Sequence, residues 1–187
     1  MAILPIYTYD ARVLREETRA IQKPDSRLVK LVVDMFETMR AANGIGLAAN
    51  QVGQGLSLFV VDLSETDEKE TRPLVFINPV LLDAGKNEIP LEEGCLSVPG
   101  VREEILRPER IVVRYRDMDF NENELVADGL LARVVQHEYD HLRGVFFTDY
   151  LRGLKKRLIF PVLRNIKEGQ TKTEYRIVPV KKQAVLP

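Results

Sequence analysis

An α+β fold, built mainly from antiparallel sheets packed around a central helix, is what this sequence predicts. Apolar residues recur at three-to-four spacing in a few separate segments, which is the signature of amphipathic helices. Between them lie extended apolar runs, and the two kinds do not alternate as regular βαβ units would. The chain has 187 residues, 45% apolar and 29% charged, enough for one domain with a sizeable core. We therefore expect a single domain over residues 1–187, with about 152–187 as a variable C-terminal helix and tail.

Taking the elements in order, Asp10 reads as the cap of a short helix over residues 11–20. A stronger helix follows Lys23-Pro24-Asp25-Ser26, with Leu28, Leu31, Val32, Met35, Phe36 and Met39 on one face and Asn43-Gly44 closing it. Extended runs come next at 56–63, 73–82 and 110–118, with the acidic segment 64–72 as an exposed loop and 119–123 as a turn. A second strong helix begins near Gly129, capped by Asp128, and ends at Arg143-Gly144. A charged amphipathic segment, about 154–167, predicts the last helix.

Composition excludes several classes. Lysine and arginine (27) nearly cancel aspartate and glutamate (28), and no basic stripe stands out, so no direct nucleic-acid site is expected. The apolar runs fall far short of the roughly 20 residues that a membrane span needs. The opening Met1-Ala2-Ile3-Leu4-Pro5 has neither the cationic start nor the apolar core of a signal peptide. A cytoplasmic location is the expectation. The single cysteine allows no intramolecular disulfide.

The two histidines carry the most information. They frame His137-Glu138-Tyr139-Asp140-His141, an HExxH motif on the second strong helix. Residues i and i+4 share a helix face, so both imidazoles can reach one metal ion, while the glutamate at the edge of that face can act on water without ligating. The plain alternative is a solvated polar patch. A catalytic site of this kind needs a third ligand. The extended motif HExxHxxGxxH would place a histidine where Phe147 stands; another class takes a downstream glutamate, for which Glu168 is the best placed. The remaining option is Cys95, in Glu93-Gly94-Cys95-Leu96-Ser97. A lone cysteine is ordinarily a small buried apolar residue. Beside an incomplete histidine pair, a thiolate ligand is favoured, and ligand chemistry alone points first to zinc.

Three runs together resemble the peptide deformylase family: Gly44-Ile45-Gly46-Leu47-Ala48-Ala49-Asn50-Gln51, Glu93-Gly94-Cys95-Leu96-Ser97 and Gln136-His137-Glu138-Tyr139-Asp140-His141. Pro5 and Val13-Leu14-Arg15 belong to the same likeness, which covers about residues 1–151, with Asn50 and Arg133 as departures at tolerated positions. The resemblance implies a catalytic domain in which Cys95, His137 and His141 bind one divalent metal and Glu138 is the general acid/base. It implies that Gln51 and the backbone N–H of Leu96 stabilise the formyl oxygen. Fe2+ is the native ion it implies, with Zn2+, Ni2+ or Co2+ able to substitute. The reaction would release formate from the N-terminal formyl-methionine of nascent peptides, and the sequence leaves open whether the C-terminal segment contacts the ribosome near the exit tunnel.

Residues 130, 134, 137 and 141 form one helical stripe, so Leu130 and Val134 are expected beside the ligands, facing the substrate with Ile45. Gly44, Gly46 and Gly94 complete the expected substrate-binding set, since glycines let an extended peptide pair closely with the backbone. Two rival readings differ in chemistry. A zinc endopeptidase using the same helix would cut internal peptide bonds, and a binding module would cleave nothing.

Overall fold

The computed structural model describes residues 1–66 and 72–183. The run Leu58–Val61 explains the layering. All four residues of this strand are buried, because the sheet is covered on both faces. Leu58 and Val60 pack with Val32, Met35 and Met39 of one helix, whereas Phe59 and Val61 point the other way, toward Ala132 and Val135 of another.

In chain order the elements are β1 (Ile6–Tyr7), α1 (Arg12–Arg15), α2 (Ser26–Ala41), β2 (Gly46–Ala48), β3 (Leu58–Val61), β4 (Leu74–Ala84), β5 (Glu88–Cys95), β6 (Val98–Pro108), β7 (Arg110–Arg116), β8 (Glu122–Asp128), α3 (Gly129–Leu142), α4 (Gly153–Glu168), β9 (Ile177–Val178) and α5 (Val180–Gln183). Strands β2-β3-β4-β7-β8 form a five-stranded antiparallel sheet, and β5–β6 is a separate antiparallel hairpin. The short β1–β9 pair is parallel. The mixed helix and strand fold with mainly antiparallel sheets is thus as expected. Helix α2 covers one face of the large sheet, and α3 covers the other. The hairpin packs Val98, Val101 and Ile105 on Ile159 and Leu163 of α4. Among the described residues, no helix is long and apolar enough to cross a membrane.

Local chemistry sets the boundaries of the long helices. Asp25 caps α2 by accepting the Leu28 N–H at 2.8 Å. At the other end Asn43, at φ 55°, takes the left-handed position, and the Gly44 N–H reaches the Met39 carbonyl at 2.9 Å. The expected stop is therefore right, but its left-handed residue is the asparagine, which tolerates that conformation. At the start of α3, Asp128 has the extended backbone of a cap without the side-chain hydrogen bond expected of it.

The structure corrects other expectations. The helix expected over 11–20 is one turn, Arg12–Arg15, and Asp10 stands before it at φ 66° instead of capping it. Tertiary bonds win beyond that turn: the Thr18 N–H goes to Leu142 and the Arg19 N–H to Gly55. Strands β5, β6 and β8 were not expected from sequence. The turn placed at 119–123 is centred on Asp117–Asn121, since Asn121 already begins the approach to β8. Of the expected loop 64–72, residues 67–71 lie outside the described residues.

Candidate metal centre

The hairpin turn fixes the first site residue. Cys95 pairs with Val98 across a turn made by Leu96 and Ser97, after a register shift that follows Gly94. The thiol is thereby carried to the hairpin tip and aimed at α3. Helix α3 is buried on nearly every side, His137, Glu138, Asp140 and His141 included. A solvated polar patch is ruled out by that burial.

Ligand-type atoms of Cys95, His137 and His141 lie within 4.8 Å of one another. The Cys95 Sγ stands 3.1 Å from His141 Nε2. That is close to the roughly 3.6 Å separating a thiolate and an imidazole nitrogen on one tetrahedral ion, from the usual bond lengths. His137 Nδ1 is engaged by Glu93 Oε2 at 2.8 Å, which leaves its Nε2 for a ligand. Two nitrogens and one sulfur suit a borderline divalent ion, so the residues fit the metal that the sequence implies. Phe147 fills the position of the extended motif as a buried ring stacked 6.0 Å from His137. Glu168 is bound to Arg164 on α4, at 2.9 Å, and is not in the cluster.

The remaining expected residues surround a cavity of about 970 Å³. Gly44, Ile45, Gly46, Gln51, Gly94, Leu96, Leu130, Val134 and Glu138 all line it, with Cys95 and His137; His141 lies behind them. Gln51, on the short 3-10 turn Ala49–Val52, accepts the Ala48 N–H through Oε1 at 2.7 Å. Its Nε2 is thereby turned toward the site, 3.1 Å from Ser97 Oγ and 3.6 Å from Cys95 Sγ. Glu138 Oε2 is buried and has no hydrogen-bond partner among the described residues. Burial pushes the Glu138 carboxyl up to about 7, with the neighbouring Glu93 adding to the effect of burial and His137 opposing it.

One glycine has a reason that sequence reasoning assigned elsewhere. A Cβ on Gly46 would lie 2.5 Å from Glu138 Oε1 and 2.8 Å from Val134 Cγ1. A Cβ on Gly44 would lie 2.8 Å from Leu96 Cδ1. At Gly46 the close packing of α3 leaves no room for a side chain, whereas at Gly44 an added Cβ would clash only with the movable tip of Leu96. Among the described residues, strand β2 nonetheless keeps one free edge, with β3 its single partner in the sheet.

Sequence reasoning missed a buried charged cluster behind His137. Arg107 donates to Glu93 at 2.7 and 3.0 Å and to Asp140 at 2.6 Å. Arg133, read as a tolerated departure, donates to Glu93 at 2.8 Å and to the Ile105 and Ile89 carbonyls at 2.6 Å. Tyr150 closes the cluster on Asp140 at 2.8 Å. Burial opposes ionisation of Glu93, but hydrogen bonds from His137 and Arg107 outweigh it and hold the carboxyl well below its usual range. The other departure, Asn50, donates to the His141 carbonyl at 2.5 Å and ties the first motif to α3. Also unforeseen, Lys172, Thr173, Glu174 and Tyr175, beyond α4, line the cavity.

The sequence matches the polypeptide deformylase family over residues 3–157. A peptide deformylase of Salinibacter ruber is 48% identical over 184 residues, covering 94% of each chain. That of Cytophaga hutchinsonii is 46% identical, covering 96% of this chain and all of its own. Among solved structures, a peptide deformylase from Ehrlichia chaffeensis in complex with actinonin superposes with a TM-score of 0.82 at 39% identity, over 92% of this chain and 100% of that one. The match extends along nearly the whole length, and the chain belongs to the polypeptide deformylase family.

Proposed function

We propose that this protein is a metal-dependent hydrolase that removes the N-formyl group from the N-terminal formyl-methionine of new polypeptides, releasing formate. The observation that carries the reading is the convergence of Cys95, His137 and His141 at a cavity lined by Glu138, whose buried Oε2 is without a hydrogen-bond partner among the described residues. We assign the three converging residues as ligands of one divalent metal, with α3 as the metal-binding helix around which the sheets pack. A bound divalent ion supplies Lewis acidity, making water a better nucleophile and polarising the formyl oxygen. We take Fe2+ as the native ion, with Zn2+, Ni2+ or Co2+ as substitutes.

The chain's own groups then divide the work. Glu138, poised near neutrality, takes a proton from the attacking water through Oε2 and returns it to the leaving amine. The Gln51 amide and the Leu96 N–H donate to the oxygen that becomes negative as the carbon turns tetrahedral. Ile45, Leu130 and Val134 face the methionine side chain, and Gly44, Gly46 and Gly94 border the path of the peptide backbone along the free edge of β2. Unbranched methionine suits such an apolar slot.

One catalytic domain over 1–187 includes a variable helix and tail at about 152–187. We place the reaction in the cytoplasm, on nascent chains near the ribosomal exit tunnel. Exposed Leu154, Leu158 and Phe160 on α4 offer a surface for a contact there. The test is formate release from a formyl-methionyl peptide by metal-loaded protein. Cleavage of internal peptide bonds without formate would overturn the reading in favour of an endopeptidase.

A further inference from the structure

The chain beyond α4 returns to the site. Gly169 turns it, at φ 74°, and β9 anchors it by pairing with β1, the Ile6 N–H bonding to the Arg176 carbonyl at 2.9 Å. Residues 170–175 therefore form a strap held at both ends, and they lie beyond the span matched by the family, which ends at 157. Within the strap, Thr173 Oγ1 donates to the Tyr175 carbonyl at 2.6 Å, and the partly buried Tyr175 donates its phenol to the Leu96 carbonyl at 2.9 Å. The same peptide group, on its other side, donates the Ser97 N–H to Cys95 Sγ at 3.4 Å. The Ser97 carbonyl is itself held, accepting the Tyr9 N–H at 2.7 Å.

We infer that Tyr175 is a positioning residue for the Cys95 sulfur, acting through the Leu96–Ser97 peptide group. A donor on the carbonyl fixes the plane of that peptide and polarises it, so its N–H becomes a stronger donor to sulfur. Hydrogen bonds to a ligand atom orient it and tune how much charge it gives a metal. The chain phenol–carbonyl–amide–sulfur thus connects the C-terminal strap to the metal centre. The inference rests on the proposed role of Cys95 as a ligand.

Tyr175→Phe keeps the ring and deletes the donor. In metal-free protein, the Ser97 amide proton, read by two-dimensional nuclear magnetic resonance, should move upfield. In Co2+-loaded protein, the sulfur-to-cobalt charge-transfer band should shift. Release of Co2+ to excess chelator should accelerate about 3- to 10-fold, below the about 10- to 100-fold typical of removing a direct outer partner. The melting temperature should fall by no more than about 4 °C, as for one lost hydrogen bond in a chain of this size. Tyr175→Leu, which lacks ring and donor, should show the same amide shift. An unchanged Ser97 amide and Co2+ release in Tyr175→Phe would overturn the inference, as would effects confined to KM or to Tyr175→Leu. Formate release by the parent protein is assayed separately, and its absence would overturn the proposed function while leaving the amide and Co2+ measurements to judge Tyr175.

Discussion

Replacing Gly46 with alanine should disable the enzyme through Glu138 and leave the metal in place. The added Cβ would lie 2.5 Å from Glu138 Oε1 and 2.8 Å from Val134 Cγ1, where ordinary contact begins near 3.4 Å. The carboxylate must then retreat by about 0.9 Å, the difference between the two oxygen distances, or β2 must lift from α3. A displacement of about 1 Å in a reacting group can cost about 10²-fold in rate. Stability should suffer less. Overpacking costs about 1–3 kcal/mol, offset by about 0.4–1 kcal/mol because alanine restricts the unfolded chain. At roughly 2–4 °C per kcal/mol for this length, melting should drop by no more than about 10 °C. The assay compares kcat and KM on a formyl-methionyl peptide, with metal content and melting measured on the same samples. We expect kcat to fall about 10²-fold with metal retained. If the glycine served only the approach of the substrate backbone, KM would rise while kcat held. A Gly46→Ala enzyme with kcat within about threefold of the parent would refute the argument from Glu138.

Three further outcomes follow from the same geometry. Cys95→Ala should lose most of its metal, whereas Glu138→Ala should keep it and lose nearly all turnover; elemental analysis beside formate release separates the two. Glu93→Gln should destabilise by about 3–5 kcal/mol, because it strips the charge facing Arg107 and Arg133 in a buried site. Since the folded Glu93 carboxyl is depressed against the opposing effect of burial, its contribution is fully present above pH about 4.5 and is lost as pH falls toward the folded value. The acid limb of a denaturation-against-pH curve should therefore flatten in Glu93→Gln. Val134→Phe should lower kcat/KM for formyl-methionyl peptides with the metal still bound, while in the parent formyl-glycyl peptides should be poor substrates and acetyl-methionyl peptides nearly inert; equal rates on formyl-methionyl and formyl-glycyl peptides would remove Val134 and Leu130 from the substrate pocket.

How much of this was legible in sequence depended on the physical origin of each feature. Helices α2 and α3 and strand β3 were readable because large apolar side chains must repeat with the period of the element that buries them. Strands β5 and β6 escaped notice because Pro90, Gly94, Pro99 and Gly100 interrupt their alternation and one face of the hairpin is charged. Strand β8 lies at a sheet edge, where Glu122 and Glu124 are exposed and a single buried residue, Ala127, marks its inner face. In the site, Cys95, His137 and His141 could be singled out because cysteine and histidine are rare in this chain, and Glu138 because it stands between the two histidines in HExxH. Arg107 could not. A buried guanidinium is defined by partners 14 and 33 residues away in sequence, Glu93 and Asp140, and nothing in the local pattern announces that pairing.

That cluster raises a question of energetics whose answer joins fold to function. Burying Arg107 and Arg133 with Glu93 and Asp140 balances two positive charges against two negative ones, yet such groups are seldom a source of stability, and apolar residues of equal volume often serve as well or better. A core built for stability alone would not need them. Their geometry has another consequence: with both guanidiniums donating to Glu93, the carboxylate is locked in the one orientation that places Oε2 on His137 Nδ1. An imidazole held at Nδ1 must present Nε2 toward Cys95 and His141, and it does so without any search among rotamers. Helix α3 thus carries its imidazoles and the anchors for their orientation side by side, Arg133 one turn before His137 and Asp140 three residues after it. The hairpin supplies the matching Glu93 two residues before Cys95. One pairing of helix against hairpin therefore sets both the proposed ligands and the groups that aim them. This is why the desolvation cost of the cluster is better understood as the cost of a preformed site than as a contribution to folding.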